Sequence, residues 1–175
     1  MQRNPPIIRL AIVGFGAVAS EVYTPILKHL PIAQVAAIAD ANDERRALAA
    51  RAFPSARLSN SHQSLFAAEG IDAVLIATPP AQHAEAAIAA WENGVHVHVE
   101  KPAASTRKDA DRMVSAWRAA FAEAHGGTMP GPDAVRSAAA ADHDLAAALA
   151  AVAAHHRGVR AASGSGSAPP THTVP

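Results

Sequence analysis

Gly14-Phe15-Gly16-Ala17-Val18-Ala19 follows the apolar run Ile7 to Val13 and precedes a helix-forming stretch. A Gly-x-Gly-x-x-Ala spacing at a strand–turn–helix junction suits phosphate binding. The first glycine permits a tight turn, and the second lets backbone approach a pyrophosphate. The small third position lets helix and strand pack closely. The free N–H groups and positive end of the helix then face the phosphates. A second apolar run, Gln34 to Ala39, ends at Asp40, where a carboxylate would accept hydrogen bonds from the hydroxyls of an adenosine ribose. Gly14, Phe15, Gly16, Ala17, Val18 and Asp40 are therefore expected to bind a dinucleotide. The plainer alternative is a tight βα turn with Asp40 capping the next helix. The Asp40 carboxylate would repel a 2′-phosphate, which favours NAD. NADP stays open through Arg45 and Arg46, although their placement reads more simply as a solvated helix face.

The second stretch with chemical content is Val95-His96-Val97-His98-Val99-Glu100-Lys101-Pro102. Its alternation reads as a strand, and Pro102, lacking an N–H, should end it near Lys101. The chain has fifteen basic residues, of which only Lys28, Lys101 and Lys108 are lysine. Lysine can give up a proton where arginine stays charged, so a lysine at a strand's carboxyl end invites a chemical reading. His96, His98 and Glu100 share one strand face, but consecutive same-face residues converge poorly on a metal ion, and no metal site is expected.

The elements that must position these residues alternate between strand and helix. Strands are expected at Ile7 to Val13, Gln34 to Ala39, Ala56 to Leu58, Asp72 to Ala77 and Val95 to Val99. Helices are expected at Val18 to Leu30, Asn42 to Ala52, Gln63 to Ala68, Ala81 to Asn93 (closed by Gly94) and Thr106 to Ala124. Alternating βα units with nearly continuous apolar strands imply a doubly wound, Rossmann-like parallel sheet covered on both faces. Ligands of such sheets bind beyond the carboxyl ends of the strands, where Lys101 would project.

These features together resemble the N-terminal domain of the Gfo/Idh/MocA oxidoreductases. Gly-x-Gly-x-x-Ala follows the first strand, Asp40 the second, and ATPPAQHAEAAIAAWENGVHVHVEKP, residues 77–102, begins at the end of the fourth. The resemblance spans about residues 7 to 120. It implies an NAD(P)-dependent enzyme acting by hydride transfer on sugars, inositols or related polyols. It also implies a cofactor loop containing Thr78, Pro79 and His83, and a Glu100-Lys101-Pro102 turn beside the nicotinamide in which the proline tends to be cis. Glu100 and Lys101 are then cofactor-side residues, and Lys101 is the expected catalytic group. Thr78 and His83 have plainer alternatives as a helix cap or surface residue. A non-catalytic NAD(P)-binding sensor and an inactive fragment are the competing functions.

Composition narrows the classes further. Formal net charge is zero, which gives no reason to expect nucleic acid or an anionic membrane surface as partner. There is no cysteine, so disulfides and thiol catalysis are excluded. No signal peptide or membrane-span pattern is present, and a cytoplasmic protein is the expectation; oligomeric state is not legible. The ordered dinucleotide-binding domain is expected at residues 5–125. An alanine-rich helical or poorly ordered segment should follow at 126–162, with a disordered tail at 163–175. The tail lacks the family's α+β substrate domain and its Gly-x-His-x-x-Asp-like element, so a truncated or frameshifted product is expected.

Overall fold

The computed structural model of the chain describes residues 7–66 and 70–124. Five parallel strands form one sheet in the order β3-β2-β1-β4-β5. They are β1 (Ile8–Val13), β2 (Ala33–Ala39), β3 (Arg57–Ser59), β4 (Ala73–Ile76) and β5 (His96–Val99). The order reverses between β1 and β4, where a crevice opens at the carboxyl edge of a doubly wound sheet. The expected Rossmann-like architecture is therefore present. The expected segments at 126–162 and 163–175 lie outside the described residues.

Strand alternation accounts for the two cores. Ala11 and Val13 of β1, with Val74 and Ile76 of β4, face the alanine side of helix α4 (His83–Glu92). Ile12 and Leu75 face the other way, against Phe15, Ala19, Tyr23 and Ala49. In β2 the pairing passes from Leu10↔Val35 to Ala11↔Ala37, so Ala36 is skipped. This one-residue irregularity moves Val35 onto the same side as Ile38 instead of that of Ala37. Ala84, Ala86, Ala87 and Ala90 let α4 lie close to the sheet, but small side chains bury little area. Larger side chains contribute more: Ile12, Phe15, Ile38, Leu65 and Ile76, all buried, add about 1.5–3 kcal/mol each.

Local signals set the remaining helices. Asn42 accepts a hydrogen bond from the Arg45 N–H at 2.9 Å and caps α2 (Asp43–Ala52). A short helix α3 (Gln63–Phe66) buries Leu65 and Phe66. Thr106 Oγ1 accepts from the Asp109 N–H at 3.1 Å ahead of α5 (Arg107–Ala124). The expected helix from Val18 to Leu30 differs. It starts as a π-helical turn, Val18–Tyr23, and continues as the four-residue α1 (Thr24–Leu27). Pro25 brings no N–H to the ladder, and the Thr24 side chain and backbone both bond to the Ala19 carbonyl. Among the described residues no helix is long and apolar enough to cross a membrane.

Gly14 is the tightest point. Its φ is +88°, and a Cβ there would lie 2.8 Å from the Ala77 carbonyl carbon and the Thr78 nitrogen. Gly94 has a comparable φ of +70° but open space around it. Gly14→Ala should therefore lose the roughly 1–3 kcal/mol of a strained φ and a further amount for the backbone overlap, whereas Gly94→Ala should lose the first part alone. Urea denaturation of the two variants measures the difference. Equal losses would mean that the β1 turn yields to a methyl group without cost.

Candidate functional site

A cleft of about 320 Å³ opens at the carboxyl ends of β1, β2 and β4. Gly14, Asp40, Thr78 and Pro79 line it, as expected from sequence, together with Asn42, Arg45, Asn60, His62 and Gln82. Asp40 is 8% exposed, and its carboxylate is organised by backbone. Oδ2 accepts from the Phe15 N–H at 2.7 Å and Oδ1 from the Asn42 N–H at 2.9 Å. Two acceptor oxygens with further lone pairs leave capacity for ribose hydroxyls. The carboxylate thus ties the glycine turn to the end of β2 while still facing the cleft.

Arg46 departs from the solvated-face expectation, whereas Arg45 keeps to it, with its side chain 53% exposed. Arg45 Nη1 stands 3.9 Å from Asp40 Oδ2 and 3.8 Å from where a Gly16 Cβ would be. Arg46 is only 22% exposed at its side chain. It donates to the Asp40 carbonyl at 2.6 Å and pairs with Asp43. Both are drawn back over the N-terminus of α2 because that end gathers the carboxylates of Asp40 and Asp43. Apart from Arg45, nothing lies within 4 Å of a Gly16 Cβ, so the absent side chain there serves no packing need of the described residues.

The other expected residues divide into those at the ligand side and those turned inward. Ala17 and Val18 are exposed at the start of the π-helical turn. The Phe15 ring is buried and packs edge-on to Phe53, so only its backbone faces Asp40. His83 is not a surface residue; its backbone N–H closes the short turn Pro80–Gln82 on the Pro80 carbonyl, and its side chain points inward. Buried at the first position of α4, it reaches the Thr78 carbonyl through Nε2 at 2.7 Å and the Pro102 carbonyl through Nδ1 at 3.0 Å. It braces the Thr78-Pro79 loop against the turn after β5. Glu100 accepts from the Tyr23 hydroxyl at 2.5 Å and from the Lys101 N–H at 3.2 Å. His98 Nε2 lies 3.1 Å from the same hydroxyl. Burial, the bond to Glu100 and the Glu100 charge raise the Tyr23 pKa, so the phenol stays protonated and donates. Two of the three residues on that face of β5, His98 and Glu100, therefore meet a phenol, while His96 is exposed. Lys101 is exposed beside a cis Lys101–Pro102 bond, on the same sheet edge but outside the cleft lining.

Sequence reasoning passed over Tyr23, Asn60, His62 and Gln82. Asn60 and His62 follow the carboxyl end of β3, and that position was the available signal. Among the described residues two buried side-chain polar atoms have no hydrogen-bond partner, Thr78 Oγ1 and His62 Nε2, and both residues line the cleft. An unpaired open glycine, a backbone-held carboxylate and these orphaned atoms fit a nucleotide with a pyrophosphate.

Strand order and cleft together define a dinucleotide-binding Rossmann domain. The sequence model of the Gfo/Idh/MocA oxidoreductase family, NAD-binding Rossmann fold, matches residues 8–128. The chain belongs to this family. It is 32% identical over 113 residues to inositol 2-dehydrogenase 4 of Saccharopolyspora erythraea, covering 65% of this chain and 33% of that protein. The WlbA dehydrogenase of Bordetella pertussis, solved with NADH and UDP-GlcNAcA, superposes with a TM-score of 0.61 at 32% identity. That match covers 69% of this chain and 34% of the other. KijD10, a 3-ketoreductase of Actinomadura kijaniata solved with NADP, gives 0.59 at 29% identity, with coverage of 67% and 35%. The chain thus spans about a third of the length of these relatives.

His62 also gives the domain a pH signature. Burial holds its imidazole below the ordinary value of 6.5, while the Glu85 carboxylate pulls the other way. On acidification the unfolded chain takes up this proton first, so His62 contributes stability above pH 6.5 that is lost as pH falls towards the folded-state value. His62→Phe should flatten this part of the stability profile, read as urea midpoints between about pH 7 and pH 5. An unchanged slope would show that the ring is as well hydrated folded as unfolded.

Proposed function

We propose that this domain binds NAD(H) for an oxidoreductase that transfers hydride to or from a sugar, inositol or related polyol. The observation that carries the reading is the open Gly16 beside the Asp40 cleft, a space shaped by the chain and filled by none of its described side chains. In this reading the Gly14–Val18 backbone cradles the pyrophosphate, with the N–H groups at the start of the helical turn facing it. Asp40 accepts from the adenosine ribose hydroxyls, and Thr78 and Pro79 wall the crevice. The dinucleotide supplies the hydride acceptor or donor. His83 and Glu100 hold the loops around it from behind rather than touching it, which revises their expected role.

Lys101 is the proposed catalytic residue. At the carboxyl end of β5 its ammonium would hydrogen-bond the substrate carbonyl oxygen, offset the alkoxide-like charge that develops as hydride arrives from the dinucleotide, and give that oxygen its proton. In the oxidation direction the neutral amine would take the hydroxyl proton as hydride leaves. Cofactor preference follows from charge. Asp40 disfavours a 2′-phosphate, and Arg45, 3.9 Å away, moderates that repulsion. NADH should bind more tightly than NADPH, and Arg45→Ala should weaken NADPH more than NADH.

Fluorescence titration tests the binding. NADH should saturate the protein, Gly16→Val should remove binding, and Gly16→Ala should keep the urea midpoint, since a Cβ there meets nothing closer than the Arg45 guanidinium. A Gly16→Val protein that still binds NADH would sink the cradle assignment. For the chemistry, residues 8–124 can replace the matching domain of a full-length relative. There Lys101→Ala should cost about a hundred- to thousandfold in turnover, with NADH affinity kept within a few fold. Equal turnover would return Lys101 to an ordinary solvated lysine.

A further inference from the structure

The sheet order β3-β2-β1 puts Asp40, at the end of β2, between the glycine turn after β1 and the residues that follow β3. A ribose held by Asp40 with its pyrophosphate over Gly16 must direct its base towards the β3 side. Asn60 and His62 line the cleft there. Asn60 and the nearby Gln82 are exposed, and water can satisfy their amides. His62 is different, because its Nε2 is buried without a partner. Its ring leans on Phe66, with centroids 6.2 Å apart and planes tilted by 55°. Phe66 backs the ring on one side, so Nε2 meets a ligand in the cleft when the imidazole turns about its own side-chain bonds. Burial also favours its neutral form, in which one ring nitrogen carries an acceptor lone pair.

We propose that His62 recognises the adenine of the dinucleotide, its Nε2 accepting a hydrogen bond from the 6-amino group. The inference rests on the cofactor reading above and adds the residue that reads the base. A buried acceptor with no partner in the free protein gains one on binding, so the bond has no competing protein partner to displace. It also separates two tasks within the cleft: Asp40 recognises the sugar, and His62 the base attached to it.

The test compares NADH with its deamino analogue, in which hypoxanthine replaces adenine and a carbonyl replaces the 6-amino group. Against the analogue, the Nε2 lone pair would face another acceptor. The unmodified protein should bind NADH about fivefold more tightly than deamino-NADH, the scale of one neutral hydrogen bond. His62→Phe keeps a ring against Phe66 and removes the nitrogen, so it should bind both dinucleotides alike, near the affinity of the unmodified protein for the analogue. Equal affinities in the unmodified protein would overturn the assignment while leaving the cofactor reading in place. So would a His62→Phe protein that still prefers NADH. Failure of both dinucleotides to bind would remove the cofactor reading and this inference with it.

Discussion

The bond from the Phe15 N–H to the buried Asp40 carboxylate, 2.7 Å long, is the contact on which the geometry of the site depends. A carboxylate 8% exposed is costly to bury unless charged-acceptor hydrogen bonds compensate. Phe15 and Asn42 supply those bonds through backbone. Backbone donors cannot swing away as side chains do, so the position of the carboxylate fixes the turn and the turn fixes the carboxylate. Gly14 makes this arrangement attainable. A Cβ at that position would lie 2.8 Å from the Ala77 carbonyl carbon and the Thr78 nitrogen, so the turn would have to back away from the chain after β4 and carry the Phe15 N–H from Asp40.

The two glycines of the motif therefore do different work. Gly14 answers to the protein, because its φ and its contacts with Ala77 and Thr78 exclude any side chain. Gly16 answers to something else, because its surroundings would admit a Cβ. A pattern match treats them alike, and only the contacts of each separate structural need from ligand need. The same test sorts Phe15, whose backbone serves the site while its ring belongs to the core with Phe53.

Much of the fold was legible because its signals are local. Short apolar runs, with period-two alternation only at Val95 to Val99, located all five strands within one or two residues, and Asn42 and Gly94 mark helix ends through short-range chemistry. The irregular start of the first helix was less legible, since it depends on how the ladder adapts to Pro25. The site was readable where it follows the motif and opaque where partners are distant in sequence. Tyr23 meets Glu100 across 77 positions, and His83 meets Pro102 across 19. Nothing in the local sequence of either histidine distinguishes His83, with both ring nitrogens at carbonyls, from His62, with Nε2 unpartnered. That contrast exists only after the sheet brings the loops together.

The two ends of the proposed site are built to different degrees. The adenosine end is walled, with buried or partly buried groups from β1, β2, β3 and β4 already set by backbone and packing. At the other end Lys101 is exposed, although the turn that carries it is held from beneath by Tyr23, Glu100 and His83. An ammonium in open water is strongly hydrated, and its attraction for developing negative charge is screened. A held backbone carries an exposed, hydrated head group. For the chemistry proposed, a second surface has to close over Lys101 and exclude water, so that its charge acts at low dielectric. In the proposed reading cofactor binding and turnover are then separable properties: the first would rest on residues 7–124, and the second would need a covering surface as well as Lys101.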